Sequence, residues 1–277
     1  MNFKIPPYFD SLIRGFQRGA MSRYVHLGYW DRPDASEPGR LTSPEEFVRA
    51  QARLNEILLS LTDLRHQQHI LDVGCGFGGS LQQINQDYHH MDLTGVNIDP
   101  RQLAICRQLI PRHSNRFHWI QADACILPFR ADSVDRILCI EAMFHFASRR
   151  KCFLEAARIL RPGGVLILSD MILTNSAKQL NFPGVCLEAL LQDGYGPWHD
   201  FWSDDADHVK LGEAAGLHCI DYIDITTNTS PSYHFTVPSE INERHDPGDT
   251  IIRAGIVLRW LHHQGHLRYL IAKFRKH

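Results

Sequence analysis

With 277 residues, 44% of them apolar and 22% charged, the chain has an ordinary globular composition and enough length to bury a full core. Its net charge of −2 gives no general pull toward nucleic acid or an anionic membrane. No uncharged apolar run reaches the roughly 18 residues of a membrane span, and seven scattered cysteines without C-x-x-C exclude a disulfide framework. The 17 histidines fall into no zinc-ligand spacing, and the adjacent pairs His89-His90 and His262-His263 cannot share a helix face. The expectation is a soluble cytoplasmic protein, monomer or homodimer, with no metal, no leader segment and no nucleic-acid partner.

In chain order, residues 1–40 are rich in aromatics and arginine and are broken by Pro6-Pro7, Pro33 and Pro38. Within them Tyr24-Val25-His26-Leu27-Gly28-Tyr29-Trp30-Asp31 reads either as cover for the core edge or as a lid over a ligand. Ser43 as N-cap, Pro44 at N1 and Glu46 in a capping box predict a helix to Leu61. An apolar strand from His69 then runs into the glycines at 74, 76, 78 and 79, with a helix from Ser80 to Tyr88. Asp92 to Ile98, Phe117 to Gln121, Ser133 to Ile140 and Val165 to Ser169 read as further strands, the last three nearly continuous or short and apolar. Helices are expected at Arg101 to Ile110 and Ser148 to Leu160.

Residues 174–202 form an insertion, and its tail places Tyr195, Trp198, Phe201 and Trp202 within nine positions. Ser203 to Ala215 reads as helix, Cys219 to Thr226 as strand, 239–263 mostly as helix and Leu267 to Phe274 as the terminal strand. Strands alternating with helices mean a doubly wound α/β sheet, whose ligands bind beyond the C-terminal strand ends. The partition is one domain over 1–277: lid and helix 1–62, core 63–173, lid insertion 174–202 and the rest of the sheet 203–277.

Gly74, Gly76 and Gly79 fit G-x-G-x-x-G, so a dinucleotide such as NAD is one reading. Asp72, two residues before the first glycine, favours another. Asn97, Ile98 and Asp99 follow the second strand, where such sheets place an acid for ribose hydroxyls. Asp123 after the third strand can accept from the exocyclic amine of adenine, and the Ala124 backbone can donate to the ring. Ile140 and Glu141 follow the fourth strand, where backbone carbonyls can take an ammonium group. Each has a bland alternative: a post-strand Asp is commonly a cap or turn former, and Glu141 could bind turn amides.

Leu71-Asp72-Val73-Gly74-Cys75-Gly76 resembles motif I of the class I S-adenosylmethionine (SAM) methyltransferases. More narrowly, His26 to Trp30, Leu71 to Gly79, Thr94 to Gln102, Asp123 to Phe129, Glu141 to His145 and Arg158 to Asp170 resemble small-molecule methyltransferases of natural-product pathways. Sugar O-methyltransferases of macrolide and indolocarbazole glycosides are nearest in pattern, with the tocopherol methyltransferases as cousins. The resemblance implies a Rossmann-like seven-stranded sheet with the last strand antiparallel, an N-terminal helical and aromatic lid, and an insertion after the fifth strand. It also implies SAM as cofactor, held by the loop residues Asp72, Gly74, Cys75, Gly76 and Gly78, with Gln102 helping Asn97 at the ribose.

The expected activity is methyl transfer to a hydroxyl of a small, largely apolar or glycosylated acceptor. His145 would act as general base, and Asp170 would orient it or stabilise the charge of its imidazolium. Tyr24, Tyr29, Trp30, Phe144, Phe146, Tyr195, Trp198 and Trp202 are the candidate acceptor pocket, with Phe182 as a further aromatic. C-methylation of an electron-rich ring or prenyl-type alkene is the alternative, and a non-catalytic SAM-binding protein is an alternative of another class.

Overall fold

The computed structural model describes residues 5–33, 43–180, 186–196, 207–237 and 250–277. Its strands are β1 (His69–Val73), β2 (Asp92–Asn97), β3 (Arg116–Gln121), β4 (Val134–Ile140), β5 (Leu160–Leu173), β6 (Leu217–Asp224) and β7 (Leu267–Lys276). Among the described residues they form one seven-stranded sheet in the order β3-β2-β1-β4-β5-β7-β6. The pairs from β3 across to β5 are parallel, and β7 runs antiparallel to both its neighbours. This is the Rossmann-like arrangement, with its antiparallel last strand, that the family resemblance implies.

Strand alternation sends successive side chains to opposite faces and so builds two cores. Ile70 packs with Leu54 and Leu58 of α2 (Pro44–Ser60) and with Leu81 and Ile84 of α3 (Gly79–Asp87). Leu71, one residue on, packs on the other side with Leu166, Phe274 and Phe153 of α5 (Arg149–Ile159). The α2 N-terminus carries the expected capping box, with Ser43 Oγ accepting from the Glu46 amide and Glu46 reaching back to the Ser43 amide. The remaining helices are α1 (Phe9–Gln17), α4 (Pro100–Cys106), α6 (Leu187–Tyr195), α7 (Asp207–Ala214), α8 (Thr226–Thr229), α9 (Tyr233–Thr236) and α10 (Thr250–His263).

Several boundaries differ from the sequence expectation: β5 already begins at Leu160, β6 runs two residues earlier at both ends, and the short helices α8 and α9 follow it. Helix α4 stops at Cys106 instead of Ile110: the chain tightens into turns in which the Gln108 and Leu109 amides donate to the Ile105 and Cys106 carbonyls, and Pro111 keeps Ile110 out of helical geometry. Strand β5 extends to Leu173 instead of ending at Ser169, since β7 pairs with it from Val165 through Leu173. The expected helical residues 203–206 and 239–249 lie outside the described residues. No described helix is long and apolar enough to cross a membrane.

Asp170 is where the fold departs most from the sequence reading. It is fully buried on β5, and its Oδ2 accepts from Arg149 Nε at 2.7 Å and pairs with His208 Nε2 at 2.9 Å. Arg149 also donates to the Met171 carbonyl at 3.2 Å. The carboxylate therefore joins the start of α5 and α7 to the sheet, and the expected pairing with His145 does not form. Burial pushes the Asp170 carboxyl up, but the Arg149 guanidinium and the hydrogen bond to His208 outweigh it and hold the carboxyl below its ordinary value. Removing one partner of a buried ion pair leaves an uncompensated charge. Arg149→Ala should therefore lower unfolding free energy by about 3–5 kcal/mol in urea denaturation, and a loss under about 1 kcal/mol would contradict this role.

Candidate active site

The C-terminal ends of β1, β2, β3 and β4 open onto a cavity of about 330 Å³. At the end of β1 the amides of Gly74 and Cys75 both donate to the Val96 carbonyl, at 2.8 and 3.1 Å, which locks the loop against β2. Gly76 has φ +50°, and a Cβ there would lie 2.7 Å from Val25 Cγ2, so both backbone and space call for glycine. Gly78, at φ +81°, is the N-cap of α3 and packs toward Leu109 and Cys106; it turns the chain and does not line the cavity.

At the next strand end Asn97 Nδ2 donates to Gln102 Oε1 at 3.0 Å, leaving the Gln102 amide group free to donate into the cavity that both residues line. Asp99 does not line it; it caps α4 through the Arg101 amide and pairs with the Arg101 guanidinium. Ile98 contributes wall. Asp123 and Ala124 line the cavity after β3, with Asp123 Oδ1 accepting from the Cys125 amide at 2.8 Å.

Two further acids, Asp72 and Glu141, line the same cavity. Asp72 is buried, and desolvation lifts its carboxyl to about 7. Glu141, just past Ile140, has φ +48° and accepts from the Leu27 amide at 2.8 Å and from Tyr269 Oη at 2.7 Å, both at Oε2. Desolvation lifts it too to about 7, against the pull of those two donors.

His145 sits in the short turn Met143–His145 after β4, and its Nε2 lies 2.6 Å from Tyr8 Oη. Desolvation drives the imidazole down to about 3, opposed by the Tyr195 backbone, so it is neutral at ordinary pH. Tyr24 and Phe146 also line the cavity. Four candidate pocket residues lie elsewhere, for reasons of packing. Phe144 is in the core, Tyr29 packs against the core edge, and Trp30 stacks on Phe235 and donates to Ser232 Oγ. Tyr195 lies behind Tyr8, ring centroids 5.3 Å apart, outside the lining. Trp198, Trp202 and Phe182 fall outside the described residues.

The sequence reading missed Tyr8, Arg23 and His26 as wall residues. Tyr8 and His145 are 137 positions apart, and no short-range pattern links them. Arg23 is turned to the Phe77 carbonyl at 2.9 Å. His26 Nδ1 pairs with the Leu27 carbonyl at 2.7 Å, and its buried Nε2 has no partner among the described residues. Among the same residues no group of three or more His, Cys, Asp or Glu is placed to hold a metal ion.

A family described as a methyltransferase domain matches residues 71–168, the part of the chain that carries β1 through β5. The chain is an S-adenosylmethionine-dependent methyltransferase. It is 28% identical over 238 residues to methyltransferase GfsG of Streptomyces halstedii, covering 85% of this chain and 80% of that protein. It is 26% identical to O-methyltransferase cnsE of Penicillium expansum, covering 88% of this chain and 83% of that one. The fold is shared with geranyl diphosphate C-methyltransferase from Streptomyces coelicolor A3(2), at a TM-score of 0.72 and 16% identity, with both chains covered over 100%.

The enzyme's cavity suits SAM by its donor set: a carboxylate after β3, an amide pair after β2, and two acids that hold protons until a cation arrives. In the ligand-free enzyme Asp72 and Glu141 keep their protons up to about pH 7. A bound ammonium and sulfonium favour the carboxylates, so binding releases protons, and SAM affinity should rise between about pH 6 and about pH 8. Calorimetry in buffers of different ionisation enthalpy measures that release. Affinity that is flat over this range, with no protons released, would contradict the placement of the two acids.

Proposed function

We propose that the enzyme transfers the SAM methyl group to a hydroxyl of a small, largely apolar or glycosylated natural product, with His145 as general base. The observation that carries this reading is a neutral imidazole whose Nε2 lies 2.6 Å from a hydroxyl oxygen inside the cavity. In it, Asp123 and Ala124 hold the adenine, Asn97 and Gln102 hold the ribose, and the 74–76 loop with Asp72 and Glu141 holds the methionine part. Two relatives of similar length bear O-methyltransferase or methyltransferase names, which agrees with it.

SAM supplies an electrophilic methyl on a positively charged sulfur. The protein's part is alignment of the acceptor oxygen for in-line attack, exclusion of water and removal of the proton. As the oxygen bonds to carbon its proton becomes far more acidic than any imidazolium. A base as weak as His145 is here can therefore accept it. Asp170, held by Arg149 and His208, does not bond His145 and acts on it only through its charge, which favours the imidazolium. Pro6, Tyr8, Phe9 and Leu12 line the cavity from the N-terminal side, and we assign to them the lid role expected of that segment.

C-methylation is the second reading, favoured by the Phe9 and Phe146 rings on the cavity wall, whose faces can stabilise a developing cation. A panel of hydroxyl-bearing and alkene or ring acceptors, assayed with His145→Ala, separates the two. For hydroxyl transfer the variant should lose about 10²–10⁴-fold in kcat while keeping SAM affinity. A variant that retains most of its kcat would overturn the base assignment and favour carbon as the methylated atom.

A further inference from the structure

The contact between Tyr8 and His145 has a chemical meaning beyond closing the cavity. Tyr8 precedes α1, and its hydroxyl reaches His145 Nε2 at 2.6 Å, a short distance for an O–H and a nitrogen. The Tyr8 ring lies tilted over the imidazole, centroids 5.5 Å apart, and is fixed edge-on by Phe9 at 4.9 Å and Tyr195 at 5.3 Å. Burial with Tyr195 and Glu141 nearby raises the phenol well above its ordinary value, so it keeps its proton. With the ring proton on Nδ1, that hydroxyl donates to the Nε2 lone pair. This is the relation an acceptor hydroxyl must have to its base.

Both residues line the same cavity as Asp72, Asn97 and Asp123. The helix that brings Tyr8 in packs outside the two main cores: Leu12, Ile13 and Phe16 form a small cluster of their own with Phe77 and Ile105, and Phe9 lies edge-on to the His145 ring at 5.9 Å. Its outer side carries an ion pair from Asp10 to Arg101 with both partners about half exposed.

We propose that Tyr8 is an internal pseudo-substrate: its hydroxyl occupies the acceptor-hydroxyl position, gives way when an acceptor enters, and is itself methylated when none does. This rests on the hydroxyl-transfer reading above and adds to it a modification site and a gate. The step balances as ordinary O-methylation. The Tyr8 oxygen–carbon bond forms as the sulfur–carbon bond breaks, the phenol proton passes to His145 Nε2, and neutral S-adenosylhomocysteine leaves. No further reactant is needed.

The test is incubation of the full chain with SAM and no acceptor, followed by mass spectrometry of the peptide that contains Tyr8. The expected result is one added methyl on Tyr8, absent from Tyr8→Phe, and lost in His145→Ala although that variant still binds S-adenosylhomocysteine by calorimetry. An independent readout needs no SAM: the nitrogen spectrum of the imidazoles should show the His145 Nε2 resonance shifted between wild type and Tyr8→Phe. Tyr8 left unmethylated by SAM-loaded enzyme, or an Nε2 resonance unmoved in Tyr8→Phe, overturns the proposal. If Tyr8 stays unmethylated while hydroxyl acceptors are turned over, the pseudo-substrate fails and the hydroxyl-transfer reading stands. If no hydroxyl acceptor is turned over, the reading itself has failed.

Discussion

Glu141 is the knot on which the site depends. Its backbone amide donates to the Ser169 carbonyl at 2.9 Å, fixing the end of β4 against β5. Its side chain takes the Leu27 amide and the Tyr269 hydroxyl, so the N-terminal segment, β4 and β7 meet at one carboxyl. The backbone there is left-handed at φ +48°, a conformation that a non-glycine residue holds only when its surroundings over-determine it. The N-terminal segment is secured again one residue on, where the Gly28 amide donates to Ser232 Oγ at 2.8 Å. Gln51 of α2 takes the Tyr24 and His26 carbonyls at 3.2 and 2.7 Å. The wall formed by residues 24–28 is thus tied to α2, β4 and the segment at Ser232.

Desolvation is the second governing effect, and it works in opposite directions on the two kinds of titrating group. It holds Asp72 and Glu141 protonated toward neutrality and keeps His26 and His145 unprotonated far below it, His26 at about 4. These four groups therefore carry little charge below about pH 7 in the ligand-free cavity, whose wall also includes Arg23 and Asp123. A cationic ligand changes the balance for the acids, because their ionisation then relieves a charge instead of creating an isolated one. The imidazoles gain nothing from it and remain lone-pair groups, which is the state a base requires.

The strand ends were legible in the sequence because they depend on local pattern. The glycine loop, the Asn97–Gln102 pair and the acids at 72, 123 and 141 are each read from a few neighbouring residues, and the structure gathers them around one cavity. Asp170 was not legible for a reason of pleat. Ser169 and Asp170 point to opposite faces of β5: Ser169 Oγ meets Tyr269 Oη at 3.1 Å on the Glu141 side, whereas Asp170 turns to α5 and α7. Sequence adjacency to the strand end could not tell which of the two faced the site. Trp30 misled in another way, since an aromatic near a lid is as well suited to stacking on Phe235 as to touching an acceptor. Tyr8 was invisible because its partner, His145, lies 137 positions away and no local pattern joins them.

These strands of the account meet in the state of His145 during turnover. If the imidazole is held at about 3 by its desolvated setting, it is already the free base at every working pH. The decisive measurement is kcat against pH, with saturating SAM and a hydroxyl acceptor from the panel, from about pH 5.5 to about pH 9. An enclosed imidazole gives a profile that is flat across the interval in which an ordinary histidine titrates, near about 6.5. A kcat that climbs tenfold per pH unit and levels off near that value would show a solvated, ordinary imidazole, and would contradict the enclosed base.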